Sequence, residues 1–220
     1  GHEQAPPRLN DLPLFPLGLV LLPGETVPLH IFEPRYRELA ARCVDGDEPF
    51  AIALEDAHGR RDVACTARIT RVLRTYPDGR SNILVVGERP VLLHAVHDVR
   101  AYRTADAEPL EDVVARAGAA EEERAASLYR ELAVALDSEQ ADAPEPGPGL
   151  SYRIAGRLEL PTEVKQELLE SRDEAERLRR VADLLDGLAR GLAVTAEVQA
   201  RAVRNGRVRT AEEIAGELGL

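Results

Sequence analysis

Residues 12–36 read LPLFPLGLVLLPGETVPLHIFEPRY, a run in which short apolar segments are divided by proline and glycine. Gly24 follows a proline and suits a tight turn, because glycine accepts the positive φ that several turn types require. Leu29 and Ile31 alternate with other residues, as expected for a strand with one buried face. Pro28 has no N–H to donate, which confines its strand to a sheet edge or a bulge. The run therefore predicts two short strands, the second of which is not central along its whole length.

A helix is predicted directly after this run. Pro34 suits the first helical turn, where its missing N–H costs nothing. The residues that would share one apolar face at helical spacing are Tyr36, Leu39, Ala40 and Cys43.

The chain up to about residue 112 is typical of β structure, because short apolar runs are separated by turn signals. Asp78 and Gly79 lie between two such runs and form the strongest hairpin signal in the sequence. Many short strands with close turns favour a small barrel or a sandwich. The predicted strands are Leu12–Pro16, Thr26–Phe32, Phe50–Leu54, Ala64–Leu73, Asn82–Gly87, Pro90–Val96 and Val99–Ala105.

After residue 112 the pattern is helical, which gives an α+β class with subdomains at 10–115 and 116–220. Ser171 and Glu174 have the spacing of a capping box that opens a long helix. Leucines and one valine recur at alternating steps of three and four residues, which predicts that this helix continues toward Arg204. The other predicted helices are 121–136, Leu150–Leu158, Thr162–Leu169 and a last one near Thr210.

The composition of the chain argues against several classes of function. The 220 residues include 28 basic and 39 acidic side chains, a net charge of −11, which argues against non-specific binding to nucleic acid. The apolar stretch 12–22 is interrupted by proline and glycine and is too short to span a bilayer, so no membrane association is expected. Cys43 and Cys65 form no disulfide framework, which predicts reduced thiols in a cytoplasmic protein.

Catalytic motifs are absent from the sequence. The only lysine, Lys165, has no glycines before it and cannot belong to a phosphate-binding loop. Ser151 lacks the second glycine of a nucleophile elbow. His94, His97 and Asp98 form the only metal-like group, but strand residues three apart point to opposite faces. We therefore expect no catalytic residue, no metal and no cofactor.

Residues 12–36 resemble the opening signature of the Lon protease N-terminal, substrate-binding domain, a family that also occurs as stand-alone proteins. The resemblance returns in LPTEVKQELLE at residues 160–170 and in Arg177-Leu178, so that it spans about residues 10 to 204. It implies a PUA-like β pseudobarrel followed by a helical bundle with one long helix. In the full protease this region helps to recognise unfolded or tagged substrates and contributes to assembly. The ATPase and peptidase regions that follow it there are missing from these 220 residues.

The resemblance implies a non-enzymatic module that binds unfolded polypeptide segments or a protein partner. Two alternatives stay open: a PUA-like nucleic-acid binder, which the net charge disfavours, and a small-molecule sensor or cryptic enzyme at the cleft between barrel and bundle. Glu33, Arg35 and Tyr36 are the candidate peptide-binding residues, because they follow a strand that Pro28 places at an edge. The same three residues could instead hold the strand-to-helix corner in place. The sequence leaves the oligomeric state open.

Overall fold

The computed structural model describes residues 9–192 of the chain. A sheet-rich N-terminal part precedes a series of helices, which confirms the predicted α+β class. The chain divides into two compact units, the first ending at Leu110 and the second beginning at Glu111. The predicted subdomain ranges, 10–115 and 116–220, stay a prediction.

The first unit contains seven strands and one helix among the described residues. The helix α1 (Pro34–Asp45) buries Tyr36, Leu39, Ala40 and Cys43, the four residues that helical spacing placed on one face. The strands are β1 (Leu9–Leu17), β2 (Thr26–Ile31), β3 (Phe50–Asp56), β4 (Gly59–Arg60), β5 (Val63–Thr75), β6 (Ser81–His97) and β7 (Thr104–Pro109).

Strand pairing closes the sheet of the first unit into a ring. The strand order is β1-β7-β6-β5-β3-β4, and β1 also pairs in parallel with β3, from Leu14 opposite Ala51 to Leu17 opposite Leu54. β2 stands outside the ring and pairs with β6 alone among the described strands. Pro28 therefore lies on an edge strand, as its missing N–H predicts.

Small side chains fill the ring. A barrel of few strands has a narrow interior, so alanine can pack where larger residues would not fit. This accounts for a buried cluster that contains no aromatic side chain. The buried cluster comprises Leu12, Leu14, Ala51, Ala53, Ala64, Val91, Leu93, Ala105 and Ala107.

The connection between β1 and β2 lies directly against Gly87 of β6. Gly24 donates its N–H to the Gly87 carbonyl at 2.8 Å, and the Gly87 N–H donates to the Glu25 carbonyl at 2.9 Å. A Cβ added at Gly87 would lie 2.2 Å from the Leu22 carbonyl oxygen. Only glycine allows the two backbones to approach so closely.

Three of the strand predictions are wrong in their bounds. The strands predicted at Asn82–Gly87 and Pro90–Val96 are a single strand, β6, which bends at a register shift against β5. The strand predicted at Val99–Ala105 begins instead at Thr104 and runs to Pro109. Val99 is 85% exposed, so its β-branched side chain marks a loop position, and buried alanines form the strand.

The second unit is helical over its described residues. Its helices are α2 (Ala119–Ala135), α3 (Leu150–Ala155), α4 (Thr162–Glu170) and α5 (Glu174–Leu192). α5 packs against α2 and α3. The predicted continuation of the long helix to Arg204 and the helix near Thr210 lie outside the described residues.

The predicted capping box at Ser171 and Glu174 is wrong. Asp173 precedes α5, and its Oδ1 accepts the N–H of Glu176 at 2.9 Å. The Asp173 side chain therefore satisfies one of the open N–H groups of the first turn. Glu174 is fully buried and bonds elsewhere, which leaves it unable to serve as the second half of a box.

A buried polar network ties α5 to the rest of the second unit. The Arg177 guanidinium donates to Glu174 at 2.6 Å, to Asp112 at 2.7 Å and to the Ser151 hydroxyl at 2.7 Å. The Ser151 hydroxyl in turn donates to Glu174 at 2.6 Å. The Arg177 guanidinium also lies 3.8 Å from the centre of the Tyr152 ring. This buried charge is fully partnered, as burial of a guanidinium requires.

Candidate functional site

The corner between β2 and α1 carries the three residues predicted from sequence. Glu33 is the N-cap residue of α1, with extended backbone, and Pro34 follows in the first turn. The Glu33 side chain makes no capping hydrogen bond to the helix backbone. Its carboxylate instead accepts the Arg35 Nε–H at 2.8 Å. Pro34 in the first turn makes the corner rigid. The ion pair between Glu33 and Arg35 spans this corner at the surface.

Arg35 and Tyr36 differ sharply in exposure. The Arg35 side chain is 52% exposed, and its guanidinium lies 4.6 Å from the centre of the Tyr36 ring. Tyr36 is only 8% exposed, and its ring centroid is 4.1 Å from that of Phe15. Burial raises the pKa of the Tyr36 hydroxyl. Tyr36 is thus a core residue whose ring supports Arg35, while Glu33 and Arg35 face solvent.

A cleft of about 260 Å³ lies beside the corner within the first unit. It is slightly smaller than typical small-molecule pockets of roughly 300–1,000 Å³. Arg35 and Tyr36 line it, whereas Glu33 does not. The remaining lining residues are Leu14, Pro16, Glu55, Asp98, Ala101, Tyr102 and Arg103. A space of this size accommodates one or two side chains of a peptide.

The cleft carries charges of both signs. Arg35 and Arg103 supply guanidinium groups, and Glu55 and Asp98 supply carboxylates. Arg103 Nη1 lies 3.7 Å from the Glu55 carboxylate. Guanidinium donors and carboxylate acceptors together can bond to the carbonyl and N–H groups of a peptide backbone.

Arg42, on α1, bonds to Tyr102, one of the residues that line the cleft. Its guanidinium donates to the Tyr102 hydroxyl at 3.4 Å and to the Asp11 carbonyl at 3.0 Å. It also donates to the Glu48 carboxylate at 2.9 Å. Sequence reasoning did not assign Glu55, Tyr102 and Arg103 to the site, because they come from β3 and from the segment before β7. No local motif connects them to the corner.

The other groups singled out in the sequence have ordinary partners. His94 bonds to Glu108 at 2.9 Å and His97 bonds to Asp106 at 3.1 Å. Over residues 9–192, no group of three or more His, Cys, Asp or Glu side chains is arranged to hold a metal ion. Burial raises the pKa of the Cys43 thiol to about 11, which keeps it protonated and unreactive near neutral pH. Within the same range, no helix combines the length and apolar character needed to cross a membrane.

Solved structures of Lon N-terminal domains resemble this fold. A Lon N-terminal domain protein from Xanthomonas campestris superposes with a TM-score of 0.61 at 25% identity, covering 78% of this chain and 96% of that one. The N-terminal domain of the Mycobacterium avium complex Lon protease gives a TM-score of 0.60 at 22% identity. That match covers 80% of this chain and 97% of the other, and it shows the fold alone.

Full-length relatives extend far beyond the matched region. A Lon protease from Paraburkholderia phytofirmans is 27% identical over 215 residues, which cover 86% of this chain and 26% of the protease. A Lon protease from Trichlorobacter lovleyi is 29% identical over 211 residues, covering 86% of this chain and 25% of the protease. The chain thus spans about a quarter of the length of the curated relatives it matches.

The sequence model of the substrate-binding domain of ATP-dependent protease La (LON) matches residues 11–187. This range covers most of the chain and includes both the corner after β2 and the buried network of the second unit. The chain therefore belongs to the Lon substrate-binding domain family.

Proposed function

We propose that this chain is a polypeptide-recognition module which binds unfolded segments or a protein partner at the corner after β2. The observation that carries this proposal is the family match over residues 11–187. The module acts by binding and carries out no catalytic step of its own. Its two cysteines are free and buried, which suits a cytoplasmic protein.

The cleft supports this proposal through its mixed charge and its size. Arg35 reaches solvent while Tyr36 holds its guanidinium over a buried ring, so the donor is positioned before any ligand arrives. Such preorganisation lowers the entropy cost of binding. The cleft admits a side chain of the ligand, and its four charged residues bond to backbone or charged groups nearby.

The free edge of β2 adds a second means of contact. β2 pairs with β6 alone among the described strands, and its last residue, Ile31, comes two residues before Glu33. Extended peptides bind such edges by adding a strand. Pro28 interrupts the row of donors, so the edge accepts a short segment and resists pairing with another sheet.

Binding of a permanently unfolded protein tests this function. We expect labelled, reduced and carboxymethylated α-lactalbumin to bind the chain in fluorescence anisotropy, and native α-lactalbumin to bind more weakly. Arg35→Glu should weaken binding by about tenfold, as for truncation of a charged contact at an interface. Arg130→Glu is the matched control, since Arg130 is 43% exposed and pairs with Glu123 at 2.7 Å, close to the geometry of Arg35 and Glu33.

Two substitutions distinguish the contribution of the Tyr36 hydroxyl from that of its ring. Tyr36→Phe keeps the ring under Arg35 and should keep both fold and binding. Tyr36→Ala removes a buried ring that contacts Phe15, so we expect a large loss of stability and exclude it as a binding test. Equal binding by the wild type and Arg35→Glu, with both proteins folded, would contradict the assignment of the corner.

The same purified protein should neither hydrolyse ATP nor cleave casein. It should bind generic RNA more weakly than ~100 μM at physiological salt, the weak edge of ordinary non-specific binding. Activity that co-elutes with the protein in gel filtration would contradict the non-catalytic assignment. A salt-sensitive micromolar affinity for RNA would instead favour a nucleic-acid partner.

A further inference from the structure

The outer half of β5 is a second free edge. β3 pairs with β5 only from Cys65 to Ala67, so residues 68–75 have β6 as their one strand partner among the described residues. Val72 and Leu73 are neighbours on this edge and are 46% and 39% exposed. Their apolar surfaces lie on a regular element, where exposed hydrophobic area often marks a contact surface.

The pairing of β5 with β6 sets which side chains share a face. Directly opposed residues project from the same side of a sheet. Val72 opposes Ile83, which is buried, so Val72 continues the core face outward beyond the covered region. Arg71 opposes Leu84 and therefore lies on the other face. The register shifts on both sides of 71–72 indicate bulges, which increase the local twist of this edge.

This edge is basic within an acidic protein. Residues 68–76 read RITRVLRTY, with three arginines and no acidic residue. Arg68 pairs with Glu88 at 2.5 Å and with Asp47 at 3.4 Å, which neutralises it. Arg71 and Arg74 form no ion pair with any residue between 9 and 192, and the Arg74 guanidinium lies 4.6 Å from the centre of the Tyr76 ring. Two guanidinium groups thus flank two exposed apolar residues.

We propose that residues 68–75 dock an extended polypeptide segment in which acidic and apolar side chains alternate. Its carboxylates pair with Arg71 and Arg74, and its apolar side chains cover Val72 and Leu73. This inference rests on the proposed function, because it takes the ligand to be a polypeptide, and it assigns that ligand a charge. The bulges limit regular backbone pairing, so side chains provide most of the recognition.

The charges distinguish this partner from a second copy of the chain. Two β5 edges paired about a two-fold axis would bring Arg71 and Arg74 of one copy close to the same residues of the other. Like charges at such positions are destabilising. Arginines and bulges are also devices that keep edges from pairing with one another. A partner with the opposite charge converts the same arginines into favourable contacts.

The exposed apolar residues Val72 and Leu73 favour a polypeptide partner over a nucleic acid. A phosphate backbone would satisfy Arg71 and Arg74 but offers no aliphatic side chain to cover Val72 and Leu73. The net charge of −11 further disfavours a polyanion, whose repulsion extends over many phosphates. A short peptide with a few carboxylates experiences less of this repulsion, because salt screens charges beyond about 8 Å at physiological ionic strength.

Titration of short labelled peptides tests the proposal. The probe is an eight-residue peptide of alternating glutamate and valine, compared with peptides that carry lysine for glutamate or serine for valine. We expect the glutamate–valine peptide to bind most tightly, and its affinity to fall as the salt concentration rises. Arg71→Glu and Arg74→Glu should each weaken it by about tenfold. Leu73→Asn should weaken it less and leave the salt dependence unchanged.

Arg89→Glu is the matched control for charge. Arg89 is an exposed arginine on β6 that forms no ion pair with a described residue, so its reversal changes the net charge by the same amount. Binding should be the same in this variant as in the wild type. Circular dichroism of each variant confirms that the fold is retained, and a variant that is not folded is replaced by Arg71→Gln or Arg74→Gln.

Several results would overturn the proposal. The first is an equal loss of affinity for the acidic peptide in Arg89→Glu and in Arg71→Glu. The second is that the wild type binds the lysine peptide as tightly as the glutamate peptide. The third is that single-stranded RNA displaces the acidic peptide in a way that depends on Arg71 and Arg74. Binding of carboxymethylated α-lactalbumin through Arg35, with no binding of the acidic peptide, would overturn the β5 edge and leave the proposed function standing. Absence of binding to both probes would overturn both.

Discussion

The two units each contain a close arginine–carboxylate pair, and the pairs have opposite character. In the second unit Arg177 and Glu174 are 2.6 Å apart, and both side chains are 0% exposed. In the first unit Arg35 and Glu33 are 2.8 Å apart, and their side chains are 52% and 35% exposed. The distances are nearly equal, so distance does not separate a structural pair from one available to a ligand. Burial and the number of additional partners make that distinction.

The largest expected effect comes from removing the buried guanidinium. Arg177→Ala should lower the free energy of unfolding by about 3–5 kcal/mol, because it leaves the fully buried Glu174 without its counter-charge and leaves Asp112 with Arg172 alone, at 3.8 Å. Urea denaturation measures this loss. Arg179→Ala is the control, since Arg179 lies two residues further along α5, is 58% exposed and pairs with Glu121. A loss of less than about 1 kcal/mol in both variants would contradict the structural role of the network.

Ser151→Ala should have the next largest effect. The Ser151 hydroxyl accepts from Arg177 Nε–H and donates to Glu174 Oε2. Its removal leaves the buried Nε–H without an acceptor and Glu174 Oε2 with Arg177 Nη2 as its remaining donor. The expected loss is about 1–3 kcal/mol, the usual range for an unsatisfied buried polar group. If the denaturation midpoint is unchanged, the arginine and the glutamate re-pair without the hydroxyl, and the network is less specific than its geometry indicates.

Arg35→Ala should change stability by no more than about 1 kcal/mol, because exposed ion pairs contribute little. The measurement is the same urea titration, and the binding experiment on the corner depends on this result. A loss as large as that of Arg177→Ala would remove the contrast between the two pairs. It would show that Arg35 holds the strand-to-helix corner in place.

The smallest effect is the pH dependence of a third pair, Asp56 with Arg61, which lies at the surface. Hydrogen bonds from Arg61 and from the His58 backbone lower the pKa of Asp56 to about 2, from an ordinary value of 3.8. A lowered pKa in the folded state stabilises the protein above pH 3.8 and ceases to do so as the pH falls toward 2. The difference in stability between the wild type and Asp56→Asn should therefore shrink between pH 5 and pH 2. A constant difference would show that the pair is not formed in solution.

Local signals allowed much of the first unit to be predicted from sequence. Pro34 and the spacing of Tyr36 to Cys43 gave α1 and its buried face, and Asp78-Gly79 gave the turn between β5 and β6. The family followed from residues 12–36, which the match over residues 11–187 confirms. These features depend on residues close together in the chain.

Contacts between distant residues could not be predicted in the same way. Nothing in the local sequence joins Asp112 to Arg177, and Glu174 matched a capping pattern although burial had given it another role. The cleft likewise draws Glu55 and Arg103 from separate elements. Of the predicted site residues, Tyr36 lies in the core, whereas Arg35 is the one that both faces solvent and lines the cleft. The binding role of the corner stays a prediction.

The parallel pairing of β1 with β3 has a consequence for how the first unit folds. β5 and β6 follow each other through a short turn and can pair early, while Leu14 and Ala51 must meet across the whole of β2 and α1. The entropy cost of closing a loop grows with its length, and non-local pairing slows folding. The β1–β3 contact is also the short seam that completes the ring. β1 also pairs with β7, where Leu12 lies opposite Ala105, so both strand contacts of β1 are non-local. We expect β1 to join the sheet last, so that until it does, the alanine-lined interior is open to water and the chain is most exposed to misfolding.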